Sequence, residues 1–364
     1  MIKVDFDSVA EAIVRECMRV KAEETILVSG GLFCLELLED IAVAIAKQKA
    51  YYLMVPYTDR MQKRLYLETD IDFMGKPSKP FLEIVNFIDG RISLDTMKDP
   101  RVLQNVPEER IGAQRQGSMP INKRMIERKI RWTGMGYPTE EKADMFGIDF
   151  EKFYDMFWEA VMTDYNCMHE QGKRIADVLE NASHVRIYTD KTDLEFSVKG
   201  RPVYIDDGVI SEEDIHIGDI GNNLPAGEVF CAPLEHSGEG RAFFDAAFYK
   251  GEKITGIDAV FKKGKMVNVS CEENEKLFKE ALAHAHGGRD IIGEFGIGLN
   301  PEVKEVTGYV ITDEKIIGSI HIALGENRGF GGENESSLHW DLVMMHPTVE
   351  VNGVVIMEEG RILV

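Results

Sequence analysis

Residues Leu338-His339-Trp340-Asp341-Leu342-Val343-Met344 alternate in a way that suits a β-strand and little else. Successive strand side chains point to opposite faces, so Leu338, Trp340, Leu342 and Met344 make one apolar face while His339 and Asp341 share the other. The strand must bury its first face against a core. Its second face carries an imidazole and a carboxylate within reach of each other. Taken alone, His-x-Asp needs no more than a hydrogen bond between the two side chains. The segments upstream decide whether it does more.

The first part of the chain has a different texture. Val9 to Lys21 has the apolar spacing of a helix, Glu24 to Gly30 reads as a buried strand, Leu35 to Lys49 is again helical, and Ala50 to Pro56 is a second strand. A strand, a helix and a strand within about thirty residues make a βαβ unit, which implies a parallel sheet with flanking helices. Ser29-Gly30-Gly31 lacks the glycine spacing and the lysine of a nucleotide loop, so nucleotide binding is not expected there. A helical region runs from Thr139 to Ala182. Beyond it, His184 to Tyr188, Leu194 to Val198 and the turn Gly200-Arg201-Pro202 give short strands and Gly-punctuated turns. This shift places a boundary near residue 183. The expected organisation is an N-terminal parallel-sheet α/β domain over 1–183 and a mixed α+β domain over 184–364 that carries the site. With 364 residues, 44% of them hydrophobic, the chain can build both cores.

Charge and cysteine content remove several functions. Lys plus Arg total 42 against 63 Asp plus Glu, a net charge of −21 that repels nucleic-acid phosphates and anionic membranes. Apolar runs such as Ile41 to Ala46 fall far short of a membrane span. Met1 to Asp7 alternates charged and apolar residues and lacks the apolar core of a secretory signal, which predicts a cytoplasmic protein. The five cysteines are widely spaced and form no C-x-x-C pair, so free thiols are expected.

The chemistry lies in four segments of the second half. Glu228 opens an apolar stretch in Asn223-Leu224-Pro225-Ala226-Gly227-Glu228-Val229-Phe230-Cys231-Ala232-Pro233, and Glu294 stands among glycines in Gly293-Glu294-Phe295-Gly296-Ile297-Gly298. Those glycines permit tight backbone turns. In Gly318-Ser319-Ile320-His321-Ile322-Ala323-Leu324-Gly325, the isoleucines and Leu324 share one strand face and leave His321 between small Ser319 and Ala323 on the other. The fourth is the His339/Asp341 strand. Each carboxylate or histidine alone has a plain structural role. Together, Glu228, Glu294, His321, His339 and Asp341 match the needs of two divalent ions, with imidazoles to fix geometry and carboxylates to bridge and neutralise. Three carboxylates against two dications would leave these ligands and ions net positive by one. Other histidines are set aside: His284 and His286 stand two apart and cannot share a helix face, although His286 is a reserve ligand if extended. His236 and His346 lie in turn-like sequence.

The segments Thr192 to Arg201, Asn223 to Pro233, Gly293 to Pro301, Ile320 to Gly325 and His339 to Met344, in this order, resemble the aminopeptidase T and aminopeptidase S family of metalloaminopeptidases. The resemblance implies a homodimeric enzyme that removes the N-terminal residue of peptides. It also implies a pair of zinc, cobalt or manganese ions held by Glu228, Glu294, His321, His339 and Asp341, with Glu228 or Glu294 also serving as general base. One departure stands out. The family carries a Tyr-Pro soon after the histidine matched by His321, whereas here Leu324-Gly325 leads into Glu326-Asn327-Arg328-Gly329-Phe330-Gly331-Gly332. If that tyrosine polarises the scissile carbonyl, its role here must fall to Arg328, to a residue from elsewhere, or to the metals alone. Two other readings stay open: an Fe(II) ring-cleaving dioxygenase resembling 2,5-dihydroxypyridine 5,6-dioxygenase, with His321, His339 and Asp341 as its triad, and a non-enzymatic binding module.

Overall fold

The computed structural model describes residues 1–364. The chain divides into two compact units, Met1–Val161 with Gly208–Leu224, and Met162–Asp207 with Pro225–Val364. Numbered along the chain, the first unit contributes β1 (Thr25–Gly31), β2 (Tyr51–Tyr57), β3 (Gly90–Leu94) and β4 (Arg131–Met135). The second unit then forms β5 (Val185–Tyr188), β6 (Asp193–Phe196) and β7 (Val203–Asp206), and the chain returns to the first for β8 (Gly221–Leu224). The second unit is completed by β9 (Glu228–Cys231), β10 (Glu239–Tyr249), β11 (Glu252–Lys262), β12 (Lys265–Glu273), β13 (Ile292–Gly298) and β14 (Ser319–Gly325). After these come β15 (His339–Met345), β16 (Thr348–Val351), β17 (Val354–Glu358) and β18 (Arg361–Ile362).

The first unit is the expected α/β layer. Its strands run parallel in the order β2-β1-β3-β4-β8. The helix Leu35–Lys47 connects β1 to β2 and buries Leu37, Leu38, Ile41 and Ile45, each contributing roughly 1.5–3 kcal/mol of apolar burial. The helix expected over Val9 to Lys21 starts earlier, at Phe6, and gives way to a π-helical turn at Ile13–Cys17, which keeps Ile13, Val14 and Cys17 all buried. Gly30 and Gly31 belong to β1 itself. The long helical region breaks into Glu140–Phe146, Phe150–Val161 and Tyr165–Glu180. Gly147 ends the first in the left-handed region, and Asp164 caps the third by accepting from the backbone N–H groups of Asn166 and Cys167.

The second unit is one curled antiparallel sheet in the order β18-β17-β16-β5-β6-β10-β15-β14-β13-β9-β7, with β11 and β12 extending from β10. One face of its central strands is the core. Val229, Cys231, Phe295, Ile297, Ile320, Ile322, Leu324, Trp340, Leu342 and Met344 all point there and are buried. The helix Tyr165–Glu180 packs on this face through Gly172, where a Cβ would lie 2.7 Å from Ile205. The other face of the same strands carries the site.

Candidate metal centre

Strand register assembles the five candidate ligands. On β14, His321 lies opposite Gly296 of β13 and Val343 of β15, while Ala323 lies between Glu294 and Asp341. Glu228 of β9 lies opposite Gly298, and His339 opposite Gly325. All of these residues therefore share the face opposite the core. Small residues hold the intervening positions and leave room for the functional side chains. A Cβ at Gly296 would lie 2.2 Å from Nε2 of His321. The glycines around Glu294, which would also permit tight turns, thus act by close approach within a fully buried strand.

The side chains converge. His321 Nε2 lies 3.0 Å from Glu294 Oε1 and 3.4 Å from Glu228 Oε2; His339 Nε2 lies 3.4 Å from Glu294 Oε2 and 3.7 Å from Asp341 Oδ1. Two groups result, Glu228/Glu294/His321 and Glu294/His339/Asp341, each with donor atoms within 4.8 Å of one another, and Glu294 belongs to both. The Nδ1–H of His339 donates to the carbonyl of Glu326 at 2.9 Å, which turns Nε2 toward the carboxylates. Glu228 Oε2, Asp341 Oδ1 and His321 Nδ1 are buried and have no hydrogen-bond partner. Buried polar atoms are normally paired, and two carboxylate oxygens left without donors inside a carboxylate–imidazole cluster fit a cation.

Three further residues complete the surroundings and escaped the sequence reading. Lys315 is fully buried, and its ammonium lies 2.5 Å from Glu228 Oε1, 3.0 Å from Glu314 Oε2 and 3.5 Å from Asp206 Oδ2. Glu314 also lies close enough to Asp341 for its charge to join burial in raising that carboxyl's pKa, so it adds a carboxylate beside the second group. A signal existed in Asp313-Glu314-Lys315, three charges enclosed by Val310-Ile311 and Ile316-Ile317. Arg328 lies in the loop between β14 and β15, half-exposed, where its guanidinium pairs with Glu326 at 2.8 Å and Glu335 at 3.3 Å. Of the remaining histidines, His284 ends the helix Glu275–His284, His286 lies beyond it, and His236 and His346 are exposed.

Electrostatics make the cluster a cation trap. Burial would depress the His321 imidazolium, yet the hydrogen bond to Glu294 and the charge of Glu228 raise its pKa to about 10. His339 is likewise raised, to about 9, with Asp341 and Glu294 outweighing burial. Burial and the neighbouring Glu314 push Asp341 up to about 7. Ligation needs neutral imidazoles, so protons compete with metal at every pH below those values. Divalent ions are therefore expected to bind more weakly as pH falls from about 9 to 6, with protons released on binding. Calorimetric titration of the metal-free protein in buffers of different ionisation enthalpy checks this, and an affinity independent of pH would contradict it.

A parallel α/β unit and an antiparallel sheet with a buried carboxylate–imidazole cluster define a two-unit protein equipped to hold metal. The chain belongs to the M29 family of thermophilic metalloproteases, whose model matches residues 3–363. It is 24% identical over 396 aligned positions to aminopeptidase T of Thermus aquaticus, covering 98% of this chain and 95% of that one. It is 22% identical to aminopeptidase PepS of Streptococcus thermophilus over 70% of each chain. The solved structure of wild-type AmpT from Thermus thermophilus superposes with a TM-score of 0.80 at 20% identity, over 99% of both chains. The 2,5-dihydroxypyridine dioxygenase from Pseudomonas putida KT2440 gives 0.68 at 13% identity, over 99% of this chain and 98% of that one. At these identities both likenesses are of fold, and the family match is what makes the chain a peptidase homologue.

Proposed function

We propose that the protein is an aminopeptidase that holds two divalent ions through Glu228, Glu294, His321, His339 and Asp341, with Glu314 beside the second, and hydrolyses the N-terminal peptide bond of short peptides. The observation that carries this reading is the sharing of Glu294 between two ligand groups, the arrangement a bridging carboxylate requires. Charge supports it. With the imidazoles neutral and the carboxylates ionised, as ligation requires, Asp206, Glu228, Glu294, Glu314 and Asp341 would set five negative charges against the one positive charge of Lys315, and two dications would cancel the remaining four. Zinc, cobalt and manganese suit this set of nitrogen and oxygen donors. When bound, such ions polarise the scissile carbonyl and make water nucleophilic at neutral pH.

The protein's own groups then have distinct tasks. Lys315 occupies Oε1 of Glu228 and leaves Oε2 as the oxygen offered inward. Glu326 orients His339 through its carbonyl. Glu228 or Glu294 takes the proton of the attacking water. Arg328 is the proposed source of positive charge in the loop where the family tyrosine is missing. We read the enzyme as a cytoplasmic homodimer; no helix is long and apolar enough to cross a membrane.

The dioxygenase reading would gather His321, His339 and Asp341 on a single Fe(II). Against it, His321 falls in one group and His339 with Asp341 in the other. Assays separate the two. Anaerobic incubation of unblocked dipeptides with zinc, cobalt or manganese is expected to release free N-terminal amino acids. Intact peptides under every metal, with oxygen consumed on a dihydroxy-aromatic compound and iron, would overturn the proposal.

A further inference from the structure

Three aromatic rings flank the metal centre on the same sheet face. Register sets Tyr204 of β7 opposite Phe230 of β9, Phe230 opposite Gly296 of β13, and Gly296 opposite His321. Tyr204 and Phe230 stack at 5.4 Å with 21° between planes. Phe330, from the loop after β14, meets Phe230 edge-on at 5.7 Å and the ring of His339 edge-on at 5.8 Å. The rings thus form a continuous wall that ends on a proposed ligand.

Packing does not account for this wall. On the opposite face, Phe295 pairs with Phe196 at 5.4 Å, and both are buried to 1% or less. Tyr204, Phe230 and Phe330 instead keep part of their surface open, as does His339 at 35% side-chain exposure. The loop that presents Phe330 is built to stay in place. Asn327 donates to the carbonyl of Gly293 at 3.3 Å and to Glu235 at 3.2 Å, while Arg201 grips both Glu235 and the carbonyl of Gly331. Gly331 has φ of 90° and lies so close to Pro202 that a Cβ would come within 2.5 Å of that ring. A fixed, partly open aromatic surface beside reactive groups is a recognition surface for an apolar ring, because aromatic pairs gain beyond simple burial through edge-to-face contact.

We infer that Tyr204, Phe230 and Phe330 determine specificity by receiving an aromatic side chain at the substrate's N-terminal position. The inference rests on the aminopeptidase reading and adds the substrate class to it. The N-terminal residue is the one whose side chain must lie beside the metal ligands, since its carbonyl is the one attacked.

The test compares unblocked Phe-Ala and Ala-Ala on the metal-loaded enzyme, with metal content checked for every variant. Wild-type kcat/KM is expected to favour Phe-Ala by about tenfold or more. In Phe330→Ala the ratio should fall to within about threefold, chiefly through a higher KM for Phe-Ala, because the wall binds substrate and transition state alike. Phe330→Leu, which keeps the loop filled, should give an intermediate ratio. Inhibition by phenylalanine hydroxamate relative to alanine hydroxamate should follow the same order and does not depend on turnover. Equal turnover of the two peptides by the wild type, or a ratio preserved in both variants, overturns the inference and leaves the aminopeptidase reading standing. Failure to cleave any peptide overturns that reading itself.

Discussion

Glu294→Gln is expected to lose metal from both halves of the centre and to lower kcat/KM by at least about a thousandfold, equivalent to about 4 kcal/mol of transition-state stabilisation. The reason is geometric. Glu294 is the one residue common to the two ligand groups, touching His321 at 3.0 Å through Oε1 and His339 at 3.4 Å through Oε2. Glutamine keeps the shape and removes the charge, so the buried strand that carries it should fold as before. Elemental analysis and steady-state kinetics on the purified variant check this. By contrast, His339→Ala should strip only the group it shares with Asp341. A Glu294→Gln enzyme with full metal content and near-native turnover would mean that the carboxylate serves only to pair with the histidines.

Lys315→Met should be the most destabilising single change in the second unit. The ammonium is fully buried, and Glu228, Glu314 and Asp206 all lie within 3.5 Å of it. Burial alone would drive such a lysine toward its neutral form, yet the three carboxylates hold its pKa well above the ordinary value. Removing one partner of a buried ionic group typically costs about 3–5 kcal/mol, because uncompensated charges stay behind. Urea unfolding of the metal-free variant should show a loss of that size. Adding Asp206→Asn or Glu314→Gln should restore part of it. Unchanged stability in Lys315→Met would show that protons or water neutralise the carboxylates without help.

The sequence carried local periodicity well and long-range register poorly. The strand at Leu338 to Met344 and the strand around His321 were legible because one face of each is uniformly apolar. Both occur, with Trp340, Leu342 and Met344 and the face of Ile320, Ile322 and Leu324 buried, while Leu338 falls just before its strand and is partly exposed. The βαβ start was legible from a continuous apolar run at β1, buried on both faces, followed by the apolar spacing of the helix Leu35–Lys47. Glu294 stands out in the sequence, but its glycines permit either a turn or a close approach. Their actual service, space for the ring of His321 across β13 and β14, is a tertiary relation with no signature along the chain. Asp206 and Lys315 lie far apart in sequence and meet only through the fold, so the lysine's part in the site could not be read from spacing. The return of Gly208–Leu224 to the first unit likewise depends on β8 pairing with β4.

The face holding Glu228, Glu294, His321, His339 and Asp341 is proposed to bind two ions through a shared carboxylate. Titration of the metal-free protein with zinc, followed by calorimetry and by elemental analysis after gel filtration, measures this most directly. Two ions per chain, falling to one in His339→Ala and to none in Glu294→Gln, is the predicted result. Saturation of the native protein at a single ion, or an undiminished two ions in Glu294→Gln, would contradict it.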